Sequence, residues 1–384
     1  MPYYIHASKF FLKNGIKNNG FLEINDNGTF GKYYSSLNNY CALDIVDYDG
    51  FWLSPGLIDT HIHGLFNYDV MDCDVNGLNV ISSELLKNGV TSWLPTTVTS
   101  SFDKLLNVCE NVYKYSLINE ESKILGIHLE GPYLDFKHRG AQNSKYLCNP
   151  NWNDFEILQK VSHNLIRKIT IAPELSGSIY FTKKASSSGV IVSLGHSSAT
   201  YDQTISCLNA GASMFTHVFN GMEEFHHRNP GMVGVALTDN LVYDEIICDG
   251  HHNDPNTINL LIKCKGPSKI VLVTDCIRAG KMPDGRYILG ELPVNVSNGV
   301  ARLKEGNLAG SVLQLNEAIK NIVDWNIVSP RDAIIMASYT PAKSLNLDNI
   351  YGSISLGKPA DFIILNPNML LIATYLNGKL KYEC

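Results

Sequence analysis

The chain has 384 residues, 45 % of them hydrophobic and 18 % charged, with a formal charge of -6. That is enough apolar content for a large core, and the scattered basic residues form no arm or stripe that would track a phosphate backbone, which argues against nucleic acid as a partner. Nine cysteines, far apart and odd in number, point to a reducing compartment; with no signal-peptide pattern and no run of ~18 apolar residues to span a membrane, a soluble cytoplasmic protein is expected.

The first fifty residues read as short strands broken by turns: "YYIHASKFFL" (3–12), "NNGFLEIND" (18–26) and "CALDIVDYDG" (41–50). The pattern then changes. Eight short apolar runs follow, at 56–61 ("GLIDTH"), 91–97 ("TSWLPTT"), 124–130 ("ILGIHLE"), 168–174 ("KITIAPE"), 190–196 ("VIVSLGH"), 212–217 ("ASMFTH"), 245–250 ("EIICDG") and 269–275 ("KIVLVTD"). Between them, stretches such as 75–90 and 200–212 carry apolar residues at helical spacing and end near glycine. Strands alternating with helices predict an α/β protein whose parallel sheet closes as a (β/α)8 barrel over 54–345. The last segment, 352–382, returns to short strands, so β segments at 1–53 and 346–384 enclose the barrel.

Nearly every barrel run finishes on a residue that binds metal or moves a proton: His61 and His63, Glu130, Glu174, His196, His217, Asp249 and Asp275. In such a barrel the C-terminal strand ends form the active-site face. A lone histidine or aspartate there more often caps a helix or satisfies a backbone group. His61 and His63 differ, because positions i and i+2 of a strand point to one side and can reach one ion. Grouped with Glu130, His196 and His217, they predict a metal site of nitrogen and oxygen donors without thiolate, suited to Zn, Fe, Mn or Co. A divalent ion acidifies water, and a carboxylate outside the ligand set takes the proton. Asp275, ending the last run, is the candidate, and the set predicts hydrolysis of an amide-like bond.

The motifs "PGLIDTHIHG", "HLEGPYL", "LGHSSATYDQ", "THVFNGMEEFHHRNPGMVG", "CDGHHNDP", "VTDCIRAG", "LAGSVL" and "GSISLGKPADFIIL" span the chain. By them the sequence resembles the N-acetylglucosamine-6-phosphate deacetylase family of the amidohydrolase superfamily. The resemblance implies a metal-dependent barrel with a small β-sandwich domain built from both terminal segments, and release of acetate from a sugar phosphate. It makes Glu130, His196 and His217 metal ligands and Asp275 the catalytic aspartate. Ala141 and Gln142, Asn220 and Gly221, Arg228, His252, and Leu308, Ala309 and Gly310 fall at sugar- or phosphate-contacting positions. It further implies a homodimer in which Arg228 reaches the phosphate in the neighbouring subunit.

Other readings stand beside these. Arg228 alone reads as a solvated surface residue, Asn220 as a turn residue before Gly221, His252 as a cap beside Asp254 with His251 an equal candidate, and Ser311 as a helix N-cap. Some members of the family replace both histidines of the His-x-His pair with amides and hold one ion; this chain keeps His61 and His63, so one or two ions are expected. Some place a histidine where Gln142 stands, and an amide can donate a hydrogen bond but carries no charge. Rival activities are deacetylation of the galactosamine epimer, a dihydroorotase, hydantoinase or nucleobase deaminase, and a silent sugar-phosphate sensor. The first two of the other amidohydrolases need a carbamylated lysine ending strand four, where this chain has Glu174.

Overall fold

A computed structural model describes residues 2–37 and 43–384; Cys41 and Ala42 of the run at 41–50 lie outside the described residues. The terminal segments form one seven-stranded sheet in the order β21-β20-β19-β4-β1-β2-β3. Its strands are β1 (Tyr3–Leu12), β2 (Gly15–Ile24), β3 (Phe30–Tyr34), β4 (Ile45–Pro55), β19 (Phe362–Leu365), β20 (Leu371–Leu376) and β21 (Lys379–Glu383). In β1, Ile5 and Ala7 are fully buried, while His6 and Ser8 alternate outward to Asp47 and Asp49, the period of a half-buried strand. The sheet folds over an apolar core of its own, so that Phe30 of β3 meets Phe362 of β19 with ring centroids 6.1 Å apart. This is the expected β-sandwich, drawn from both ends of the chain.

β4 passes through Gly56 directly into β5 (Leu57–Ile62), the first barrel strand. A side chain at Gly56 would collide with Thr91, so sandwich and barrel are joined closely. The barrel continues in parallel register through β8 (Val90–Thr97), β10 (Ile127–Glu130), β11 (Ile166–Ile171), β12 (Ile191–Leu194), β13 (Met214–Phe215), β14 (Tyr243–Ile247) and β15 (Ile270–Val273). It closes where Asp275 N donates to His61 O (2.9 Å) and His63 N to Cys276 O (2.8 Å). The hairpin β6 (Gly64–Leu65) and β7 (Tyr68–Asp69) follows the first strand, and β9 (Lys123–Ile124) extends beside β8. All eight predicted runs are barrel strands. The two helical stretches are helices at Val75–Leu86 and Tyr201–Asn209, capped by Asp74 and Thr200. No described helix is long and apolar enough to cross a membrane.

One local reading fails, and one element was not foreseen. Ser311 caps no helix: its hydroxyl donates to Thr274 O and accepts from Leu313 N, and the helix Leu315–Asp324 is instead capped by Gln314 and Glu317. Residues 285–302 form an additional three-stranded sheet, β16 (Gly285–Leu289), β17 (Leu292–Ser297) and β18 (Val300–Arg302). Its signal is present in the period-two alternation and the Asn298-Gly299 turn.

Candidate metal centre and active site

Strand ends bring six ionisable side chains into one buried space. Glu130, last residue of β10, has Oε1 3.1 Å from His217 Nε2, 3.2 Å from His196 Nε2 and 3.3 Å from His61 Nε2. Its Oε2 lies 3.3 Å from His63 Nε2. Asp275 Oδ1 faces His63 Nε2 at 2.9 Å and His61 Nε2 at 3.4 Å. Two ligand groups result, Glu130 with His196 and His217, and His61 with His63 and Asp275, each with its candidate donor atoms within 4.8 Å of one another. The structure thus puts Asp275 among the second group, beyond the role of proton acceptor expected for it.

The other ring nitrogens determine what this space accepts. His196 Nδ1 donates to His138 O (2.8 Å), His217 Nδ1 to Asn220 O (3.1 Å) and His63 Nδ1 to Thr96 O (3.2 Å). A carbonyl only accepts, so each Nδ1 carries the proton and each Nε2 turns a lone pair inward. The inward partners are carboxylate oxygens, also acceptors, and the Nε2 atoms of His196 and His217 stand 3.0 Å apart. Acceptors this close require positive charge between them, from protons or from a metal ion. His61 Nε2 and Asp275 Oδ1 are buried and face only other members of this cluster.

Charge balance points the same way. Burial pushes Glu130 upward, but the His61 charge and the hydrogen bonds of His196, His217 and His61 outweigh it and hold the carboxyl well below its ordinary range. Burial likewise opposes charge on Asp275, yet His61 and His63 hold it at about 2. Burial disfavours a charged His61, and Glu130 and Asp275 raise it to about 9 nonetheless. An anionic floor ringed by inward imidazoles fits a divalent metal.

Above this floor opens a cavity of about 310 Å³. Of the predicted contacts, Ala141, Gln142, Asn220, Gly221, His252, Leu308 and Gly310 line it, together with His63, Glu130, His196, His217 and Asp275. Ala309 is fully buried behind the wall, and Arg228 lies on the exposed segment 223–229 outside its own chain's cavity. Between His251 and His252 the choice falls on His252, which lines the cavity and is held by Asp249 Oδ2 at 2.6 Å; His251 is exposed. Gln142 is 5 % exposed and held at both ends, its Nε2 donating to Glu130 Oε2 (2.7 Å) and its Oε1 accepting from Thr99 N (2.6 Å). Glu174 lies off the centre, accepting from Ser197 Oγ and Ser198 N.

The amidohydrolase family profile matches residues 52–381. The chain belongs to the amidohydrolase family. An N-acetylglucosamine-6-phosphate deacetylase of Vibrio furnissii is 36 % identical over 365 residues, 94 % of this chain and 90 % of that protein. An N-acetylgalactosamine-6-phosphate deacetylase of Escherichia coli O157:H7 is 36 % identical over 339 residues, 88 % of this chain and 90 % of that one. The chain is similar in structure to an N-acetyl-D-glucosamine-6-phosphate deacetylase variant of Mycobacterium smegmatis in complex with N-acetyl-D-glucosamine 6-phosphate, with a TM-score of 0.93, 26 % identity and 99 % of each chain covered.

The backbone of this amidohydrolase is strained where its candidate ligands sit. His196, His217 and Asp275 have φ of +48°, +29° and +49°, a region that costs side-chain-bearing residues about 1–3 kcal/mol each. These reversals leave the strand and aim the side chains over the barrel mouth. Close approach demands glycine at Gly221, where φ is +62° and a Cβ would stand 2.8 Å from His196 Nδ1. Several lining residues went unread in the sequence: Leu289 of the additional sheet, Asn307 in the loop after it, and Lys137 and His138. Only the alternation at 285–302 could have pointed to the first two. His138 contributes through its backbone carbonyl, which leaves no mark in a sequence.

Proposed function

We propose that the chain hydrolyses the acetamide of N-acetyl-D-glucosamine 6-phosphate to D-glucosamine 6-phosphate and acetate. The observation that carries this reading is the pair of ligand groups sharing the floor of a polar cavity, in a chain 36 % identical to a deacetylase of that name. A divalent ion held by Glu130, His196 and His217, with a second on His61, His63 and Asp275, would acidify a water and polarise the acetamide carbonyl; Zn, Fe, Mn and Co all suit these donors. The Asp275 carboxylate, anionic at neutral pH, accepts the water's proton as oxygen bonds to the acyl carbon. It returns that proton to the nitrogen as the C–N bond breaks, giving acetate and the free amine. Gln142 spends one amide N–H on Glu130 and has a second for the carbonyl oxygen.

Asn220, Gly221, His252 and Leu308 to Gly310 are assigned to the sugar. Arg228 is assigned to the phosphate of a second protomer, since it is exposed outside its own chain's cavity and its planar fork suits phosphate oxygens. The working unit is then a homodimer in the cytoplasm, in keeping with eight described cysteines that are all free. Nothing supports a dihydroorotase- or hydantoinase-type centre: the strand-four lysine, Lys168, is paired with Glu245. A silent sensor is disfavoured by the full set of ligands with Asp275.

Acetate release tests the reading, measured after chelation and reconstitution with single metals on N-acetylglucosamine 6-phosphate, its galactosamine epimer and the unphosphorylated sugar. Metal-dependent release, greatest from the first, is expected. Faster release from the epimer would reassign the substrate, and none from any of the three would overturn the activity.

A further inference from the structure

Barrel interiors are usually filled by layers of bulky aliphatic side chains. Beneath this metal floor the filling is ionic. Lys168 of β11 and Glu245 of β14 are both fully buried and form an ion pair. Glu245 Oε1 also accepts from Thr60 Oγ1 (3.1 Å), and Lys168 Nζ reaches Thr60 O at 3.4 Å. The remaining carboxylate oxygen, Glu245 Oε2, is 3.3 Å from His61 Nδ1. That contact separates His61 from the other three histidines of the centre, whose Nδ1 atoms rest on neutral backbone carbonyls. A carboxylate behind an imidazole fixes its orientation and strengthens it as a ligand.

We infer that Glu245, neutralised by Lys168, is a positioning residue that sets the affinity of the metal position formed by His61, His63 and Asp275. The inference rests on the metal-centre reading above and adds an asymmetry to it. The position on Glu130, His196 and His217 binds independently of the ionic pair, whereas the second depends on it. Lys168 is what permits the arrangement. A lone buried carboxylate would be strongly penalised, while a paired one is retained.

The test removes both charges together, because either alone would leave the other buried and unpaired. Apo protein of wild type, Lys168→Met/Glu245→Leu and Lys168→Met/Glu245→Gln is titrated with cobalt(II) by equilibrium dialysis, visible absorption is recorded, and His61→Ala marks the second equivalent. The leucine variant is expected to bind the second ion about ten- to hundredfold more weakly, with the first within twofold of wild type. The glutamine variant, which keeps an acceptor for His61 Nδ1, should fall between. Unchanged affinity for the second ion in the leucine variant, or equal weakening of both ions, would overturn the inference. Wild type binding one ion would also overturn it while leaving a metal centre intact; wild type binding none would remove the metal-centre reading itself.

Discussion

At the barrel mouth, six ionisable groups crowd together, and His61 Nε2 and Asp275 Oδ1 face only other members of that group. At the opposite end, Asp244 near the start of β14 is buried as deeply and neither of its oxygens has a hydrogen-bond partner, but the Lys265 ammonium stands 3.4 Å away; beside β8, Lys123 bonds Asp361, next to the terminal sheet, at 2.5 Å. The backbone differs in parallel. Positive φ in the sandwich falls mostly on glycine and asparagine, such as Gly15, Asn19, Gly28, Asn377 and Gly378, with Met369 among them, whereas at the mouth it takes in, besides glycines such as Gly221, the residues His196, His217, Phe219 and Asp275. Asparagine and glycine enter that region at small cost and the others do not. One end sets a cation against its buried acid, and the other sets buried acids and imidazoles against one another on a strained, non-glycine backbone, where a metal would sit.

Asp275→Asn is the sharpest way to break that contrast. It removes a proton acceptor while keeping the shape, so kcat should fall by about 10²–10⁴-fold. The sugar phosphate and an ion on Glu130, His196 and His217 should still bind, as calorimetry and metal analysis would report. Turnover near that of wild type would make Asp275 an ordinary buried acid.

Gly221→Ala tests whether the strain at the mouth is serving the ligands. The added Cβ would lie 2.8 Å from His196 Nδ1 at a φ of +62°, and the ring must turn away from the His138 carbonyl. A stability loss of about 1–3 kcal/mol and metal binding weakened about tenfold are expected, from thermal denaturation and metal titration. A stability loss with unchanged metal affinity would separate the strain from the ligand geometry.

The same contrast explains what was legible in the sequence. Each candidate ligand stands at the end of an apolar run, so Glu130, His196, His217 and the His61/His63 pair were visible from strand period and residue chemistry alone. The barrel was visible from the strand period as well, and the terminal segments as short strands, whereas their joining in a sandwich came from the family resemblance. What supports the ligands was not: the carbonyls of His138, Asn220 and Thr96 belong to no residue type. Lys168 and Glu245 sit in runs read as ordinary barrel strands, and 77 positions separate them. The choice of His252 over His251 depends on Asp249 reaching back three residues, a local geometry that two adjacent histidines do not disclose.

Asp244 probes the other end through pH. Burial pushes its carboxyl up to about 8, against the attraction of Lys265, whose ammonium also bonds Asp239 O. The folded protein then keeps a proton that the unfolded chain releases near pH 4. Over the window from about 4 to 8 this group lowers stability as pH rises, by up to ~1.4 kcal/mol per unit, and the loss levels off above 8. Asp244→Asn should flatten the profile there, so the wild-type minus variant Tm should decline between pH 5 and 8. Parallel profiles would mean that Asp244 is ionised on Lys265 throughout.

The smallest effect is expected inside the sandwich. Tyr48 OH and Tyr375 OH are 2.9 Å apart in its core, with Glu383 Oε1 3.2 Å from Tyr48. Tyr48→Phe removes that hydroxyl and should cost about 1 kcal/mol, read as a Tm lowered by a few degrees or less. Because β4 enters β5 through Gly56 with no intervening loop, a disturbance at Tyr48 has a short covalent path to His61. If the sandwich only braces the barrel, kcat and metal affinity will stay at wild-type values while stability falls. A fall in metal affinity larger than the stability change would mean that this junction transmits strain to the first strand, and the two ends of the barrel could no longer be treated as independent.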